Sequence, residues 1–155
     1  MNRRDIVVCL LWSAALLGRV HAQQTGKVYH IAIIAPAGQP SEMSETSPDQ
    51  ALARLWGAFF GELRRLGYVE GKNLRVERYS GEGLVEHFRD LASGVVRGNP
   101  DLIYTVSPDM LLAFKEATTT IPIVGLTADP VALGIVPSLS RPGRNITGSS
   151  VDVGP

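Results

Sequence analysis

Apolar positions along the chain alternate between two patterns. Residues 28–36 (VYHIAIIAP) form a continuous β-rich apolar run, the form expected of a strand covered on both faces. Ser47-Pro48-Asp49-Gln50 then has the order of a helix start, with Ser47 as N-cap, Pro at the first helical position and Gln three residues after the cap. Leu52, Leu55, Trp56, Phe59, Leu63 and Leu66 follow at spacings of three and four, and Gly67 closes the segment. This spacing predicts one helix with its apolar stripe in the core. Residues 73–79 (NLRVERY) predict a strand of mixed polarity at a sheet edge, and Leu84, Phe88, Leu91 and Val95 predict a second helix ending at Gly98-Asn99-Pro100. Residues 101–106 (DLIYTV) predict a third strand, Ser107-Pro108-Asp109 a capped third helix to about Thr118, and residues 121–126 (IPIVGL) a fourth strand. Asp129-Pro130 predicts a short helix through Leu139, Arg141-Pro142-Gly143 a turn, and residues 145–148 (NITG) the start of a fifth strand. Four β-to-α repeats with short links predict an α/β fold of three layers, a parallel sheet with helices on both faces and right-handed crossovers.

The N-terminus departs from this alternation. Residues 1–22 have the form of an export signal: two arginines at the start, an apolar run over residues 6–17, and small residues at Val20 and Ala22, which predicts cleavage before Gln23. The run is too short to span a bilayer stably, so no membrane insertion is expected after cleavage. Arg3-Arg4 is compatible with twin-arginine export, but Asp5 follows where that signal prefers a neutral residue, which favours the general route.

Composition changes meaning once this segment is set aside. The 155 residues carry 15 basic and 15 acidic side chains and one Cys. Residues 1–22 contain three of the Arg, one Asp and Cys9, so the remaining 133 residues carry 12 basic and 14 acidic side chains and no thiol. That excludes disulfides, a cysteine nucleophile and a Cys-based zinc site from the mature part. The charge balance lacks the basic stripe of a nucleic-acid binder.

In an open parallel sheet, ligands lie beyond the carboxyl ends of the strands, here the loops after Ala35, Thr105 and Leu126. Two of these are expected to run into helix N-termini, where free N–H groups and the helix dipole favour a carboxylate. Ser107 and Thr127 offer hydroxyls there, and Asp129 offers a partner for a ligand ammonium, so together these loops would read a zwitterion. Ser107 before Pro108 and Asp129 before Pro130 equally have the form of ordinary N-caps. No catalytic residue is expected. Gly67-Tyr68-Val69-Glu70-Gly71-Lys72 has three residues between its glycines rather than the four of a P-loop, and neither G-x-G-x-x-G nor G-x-S-x-G occurs. His30 and His87 have no second ligand at metal spacing, so neither metal nor cofactor is expected.

Four stretches together resemble the substrate-binding proteins of bacterial ABC transporters that include the tryptophan and tyrosine importers. They are Leu66-Gly67-Tyr68-Val69-Glu70-Gly71-Lys72-Asn73, Ala117-Thr118-Thr119-Thr120-Ile121-Pro122-Ile123-Val124, Asp129-Pro130-Val131, and Ser138-Leu139-Ser140-Arg141-Pro142-Gly143 leading to Asn145-Ile146-Thr147-Gly148. Arg144 stands where the family usually has a second Gly. The resemblance implies the first lobe of a type I periplasmic-binding-protein-like fold, with two α/β lobes hinged about a small ligand and an inner-membrane ABC permease as partner. By loop position alone it places Ala35, Ser107, Thr127 and Asp129 on the ligand edge of that lobe. Family members are about twice as long. The expected organisation is therefore a signal at 1–22 and, over 23–155, a first lobe that stops before the second, with weak or no binding of amino acids by the lobe alone. The leading expectation is an extracytoplasmic solute-binding component of an importer, present as a partial chain and located in the periplasm. A sensor or interaction module on the same lobe, a non-functional fragment and a flavodoxin-shaped enzyme are the alternatives.

Overall fold

The computed structural model describes residues 26–143 and 145–150; the expected signal at 1–22, Arg144 and residues 151–155 lie outside the described residues. Five strands, β1 (Tyr29–Ala35), β2 (Leu74–Ser80), β3 (Leu102–Thr105), β4 (Ile123–Thr127) and β5 (Ile146–Ser150), form one sheet in the order β2-β1-β3-β4-β5, and every pairing is parallel. Three helices, α1 (Gln50–Arg65), α2 (Phe88–Arg97) and α3 (Pro108–Ala117), complete it. The mixed polarity of β2 matches its place at an edge.

Successive strand residues point to opposite faces, and this alternation builds two cores. Ala32 and Ile34 of β1, with Ile103, Ile123 and Ile146, pack against Phe88, Ala92 and Val95 of α2 and Met110, Leu111 and Phe114 of α3. Ile33 on the opposite face packs with Trp56 and Phe60 of α1 and with Met43, joined by Val76 and Tyr104. The result is the three-layer α/β sandwich that the alternation predicts. On the α1 side a groove of about 500 Å³ remains, lined by Tyr29, Ile31, Phe59, Leu63, Tyr104 and Val124.

Three local expectations are corrected. Asp49, not Ser47, caps α1: its Oδ1 accepts from the N–H groups of Ala51 at 2.7 Å and Leu52 at 3.1 Å. A carboxylate at a helix N-terminus satisfies two free donors and also complements the dipole, which a hydroxyl does not. Along α1, Phe60 is buried while Leu55 and Leu66 are exposed, because Leu52, Trp56, Phe59, Phe60 and Leu63 share the inward face at 100° per residue. No helix follows Asp129. The chain makes one turn and stops at Gly134, whose φ of +65° ends right-handed winding, and Ile135 and Val136 then enter the core from irregular backbone. The fourth repeat therefore lacks its helix.

On the α2–α3 side of β2, Tyr79 donates its O–H to Glu77 Oε2 at 2.6 Å, and His30 Nε2 stands 3.0 Å from the same oxygen, off hydrogen-bond alignment. Arg75 pairs with the other Glu77 oxygen. Burial, then the bond to Glu77, raises the Tyr79 pKa from 10.0 to about 12. A group whose folded pKa is raised contributes stability that is complete below its unfolded value and lost as pH climbs through the folded one. Wild type is therefore expected to lose more stability between pH 10 and 12 than Tyr79→Phe, measured by urea unfolding. Parallel losses in the two proteins would refute the assignment.

Candidate functional site

From β1 the chain steps outward to β2, then crosses back past β1 to β3. The loop after β1 leads to α1 on one face, whereas the loop after β3 leads to α3 on the other. Where neighbouring loops diverge in this way, an open sheet has a crevice beyond the carboxyl ends of the two strands. The reversal point thus lies between Ala35 and Thr105.

Two of the four expected residues meet there. Ala35 ends β1, and Ser107 caps α3. Ser107 is buried, and its Oγ accepts from the Met110 N–H over a long 3.5 Å, so capping is real but loose. Asp109 sits in the first turn of α3, where its negative charge already complements the dipole. A ligand carboxylate at this terminus shares that field with Asp109.

Thr127 and Asp129 lie one strand further along, after β4. The Thr127 hydroxyl is buried without a hydrogen-bond partner among the described residues, and it lines a pocket of about 50 Å³ with Leu111, Ile146, Ser149 and Ser150. Asp129 Oδ1 takes the N–H groups of Val131 at 3.1 Å and Ala132 at 2.9 Å. Asp129 is therefore the cap of a turn, and the helix N-terminus expected behind it is missing. Among the described residues only α3 supplies a dipole at this end of β3 and β4.

Sequence reasoning passed over two further segments. The turn after β2 folds onto the loop after β1: Gly81 N–H donates to Ala35 O at 2.9 Å, Gly83 N–H to Pro36 O at 2.9 Å, and the Ser80 hydroxyl to Gly38 O at 2.6 Å. A Cβ on Gly81 would meet Pro36 O at 2.9 Å and Met110 Cε at 3.0 Å as well as the Phe88 ring, so only glycine fits. Glu82 takes φ +55°, an uncommon conformation for a side-chain-bearing residue. The Gly81-Glu82-Gly83 triplet was the available signal, together with the Gly-, Pro- and Ser-rich segment 36–48. At the same end of the sheet Val106, Val131 and Leu133 expose apolar side chains.

Most of the stretches that carry the family resemblance sit at the opposite, N-terminal end of the strands. Gly67, at φ +92°, ends α1 in a Schellman motif, with Tyr68 N–H to Leu63 O at 2.8 Å and Gly67 N–H to Arg64 O at 2.9 Å. Asn73 then bridges Val69 N–H at 2.7 Å and Gly67 O at 2.8 Å. Thr118 Oγ1 accepts from the N–H groups of Thr120 and Ile121, and Asn145 Nδ2 donates to Ile121 O at 2.7 Å. These residues are joints of the fold; of the four stretches only Asp129-Pro130-Val131 lies wholly beyond a strand's carboxyl end.

A doubly wound parallel sheet whose order reverses between β1 and β3 has the form of the α/β folds that take ligands beyond their strand ends. A family model described as ABC transporter substrate binding protein matches residues 48–154, and the chain belongs to that family. Over 94 residues it is 36% identical to the tyrosine-binding protein of Clostridioides difficile (strain R20291), a match covering 59% of this chain and 27% of that protein. A conserved domain protein of Vibrio cholerae is 29% identical with a TM-score of 0.65, over 80% of this chain and 39% of that one. The ligand-free, open form of a substrate-binding protein with adhesive properties from Clostridium difficile is 27% identical with a TM-score of 0.66, over 81% and 40%. The chain thus spans about two fifths of these solved relatives. The family and its tyrosine-binding relative are binding proteins, not enzymes. Among the described residues no three His, Cys, Asp or Glu side chains are grouped to hold a metal, and no helix is long and apolar enough to cross a membrane.

Proposed function

We propose that this chain is the first lobe of an extracytoplasmic solute-binding component of an ABC importer, that it takes an aromatic amino acid of the tyrosine class, and that it delivers this ligand to an inner-membrane permease. The observation that carries the reading is the 36% identity to a tyrosine-binding protein in a chain whose sheet order reverses between β1 and β3. On this reading residues 1–22 direct export to the periplasm, and residues 23–155 form a lobe that closes against a second one.

Roles follow from chemistry. The N-terminus of α3 and the Ser107 hydroxyl receive the ligand carboxylate, Thr127 supplies a further hydroxyl, and the free Asp129 oxygen faces the ammonium. Ala35 gives the ligand a rim without bulk. Exposed Val106, Val131 and Leu133 suit an apolar ring at the same end.

One lobe encloses a ligand on one side only, whereas good sites bury 70–90% of it. The lobe alone is therefore expected to bind L-tyrosine with a Kd of order 1 mM. Amide NMR titration with L-tyrosine should move signals of Ala35, Ala37, Gly38, Ser107, Asp109 and residues 127–129. Silence at those positions near the solubility limit of tyrosine, or shifts confined to the α1-side groove, would sink the proposal.

A further inference from the structure

We propose that Arg78 is a positioning residue of this site: its guanidinium sets where the β1–α1 loop stands at the reversal point. The proposal rests on the reading of that end of the sheet as the ligand site.

The loop, residues 36–49, cannot hold itself. Its only regular part is the single 3-10 turn Pro40–Glu42; the turn after β2 holds its start, through Gly83 N–H to Pro36 O and the Ser80 hydroxyl to Gly38 O, but beyond Gly38 its own backbone bonds, such as Met43 N–H to Pro40 O and Ser47 N–H to Ser44 O, reach three residues at most. Loops of this length without regular structure are uncommon in compact domains and tend to be functional, and ordering each residue costs entropy. From Gln39 onward some further group must supply the order.

Arg78 projects from β2 on the α1 side and uses every edge of its planar head. Nε donates to Met43 O at 2.7 Å, Nη1 and Nη2 grip Glu70 at 2.7 and 2.8 Å, and the plane lies over the Phe60 ring at 5.2 Å. Its side chain is 20% exposed, so water competes little for these bonds. One side chain thereby ties the loop to β2, to the turn before β2 and to α1. The Met43 side chain, buried beside Ile33, marks where the loop is pinned. The other ion pair on the loop, Arg64 with Glu45, is 48% and 39% exposed and holds weakly. Lysine lacks the planar fork and reaches only one of these partners at a time.

The test uses the 155-residue chain with hydrogen exchange and L-tyrosine titration. In Arg78→Gln the amides of Met43 and Ser47 are expected to exchange about 10- to 100-fold faster, as loss of a charge-assisted bond implies, with β3 and α3 unchanged. The same variant should need several-fold more tyrosine to shift Ser107, Arg78→Lys should not rescue either readout, and Arg64→Gln should leave both near wild type. Unchanged loop exchange overturns the proposal, and so does faster exchange with an undiminished tyrosine response, since a merely structural residue behaves that way. Should Arg78→Gln fail to fold, Glu70→Gln is expected to give a smaller rise at the same amides, and no rise there overturns the proposal. A wild type that ignores tyrosine overturns the proposed function and the positioning role together, whereas a responsive wild type with an indifferent Arg78→Gln overturns the role of Arg78 alone.

Discussion

Phe114→Ala is expected to cost about 3–5 kcal/mol, the usual loss when a fully buried phenyl ring is cut to a methyl. Phe114 has no exposed surface and lies in the core between α2, α3 and the sheet, with Ile103, Ile123 and Val95 in the same cluster. Against a typical stability of about 5–15 kcal/mol this is a large share. The melting temperature should drop by roughly 10–20 °C for a domain of this size. Urea unfolding checks it, and a loss under about 1 kcal/mol would mean that the ring is not in the core. Because α3 also presents Ser107, the variant is expected to weaken the tyrosine response by lowering the folded population.

Gly148→Ala is expected to release β5 from the sheet. A Cβ at Gly148 would stand 2.7 Å from the carbonyl carbon and 2.9 Å from the nitrogen of Gly125, and it would also collide with the Gly125 oxygen. These are backbone atoms of a paired strand, so no side-chain rotation relieves the contact. Overpacking against movable side chains costs about 1–3 kcal/mol, and a backbone collision is expected to exceed that range. Amide exchange across β5 should rise sharply, and Ile146 should leave the core. Gly57→Ala is the control: it lies within α1, nothing stands within 4 Å of its Cβ, and alanine there should stabilise by about 0.5–1 kcal/mol. Equal protection of β5 in Gly148→Ala and wild type would disprove the close approach.

Gly148 also shows how family signature and ligand site separate. The stretch Asn145-Ile146-Thr147-Gly148 is needed because Asn145 ties the start of β5 to Thr118 O and Ile121 O in the link from α3 to β4 and Gly148 lets β4 and β5 approach. The Leu66 to Asn73 stretch is needed because Gly67 and Asn73 turn the chain from α1 into β2. Neither lies at the reversal point between Ala35 and Thr105. Those residues disclosed the family without disclosing the site.

The strands and three helices were legible because each announces itself locally. Burial on both faces writes an apolar run such as IAII, and a helix packed on one side writes a 3.6-residue stripe, so neither needs a partner to be recognised. Ser107 as a cap is equally local, since its bond reaches only to Met110. Other outcomes depended on groups far apart in sequence. The cap at Asp49 and the single turn that Gly134 stops after Asp129 are local, but the bond from Arg78 to Met43 spans 35 positions and was settled by contacts in space. Strand order belongs to the same class. The sequence by itself determined the five strands, the three helices, the parallel α/β class and the family, because these follow from short-range patterns. The order β2-β1-β3-β4-β5, which puts the reversal between Ala35 and Thr105 and brings Ser107 but not Asp129 beside it, was decided only by tertiary packing, since strand neighbours are chosen by which faces cover one another.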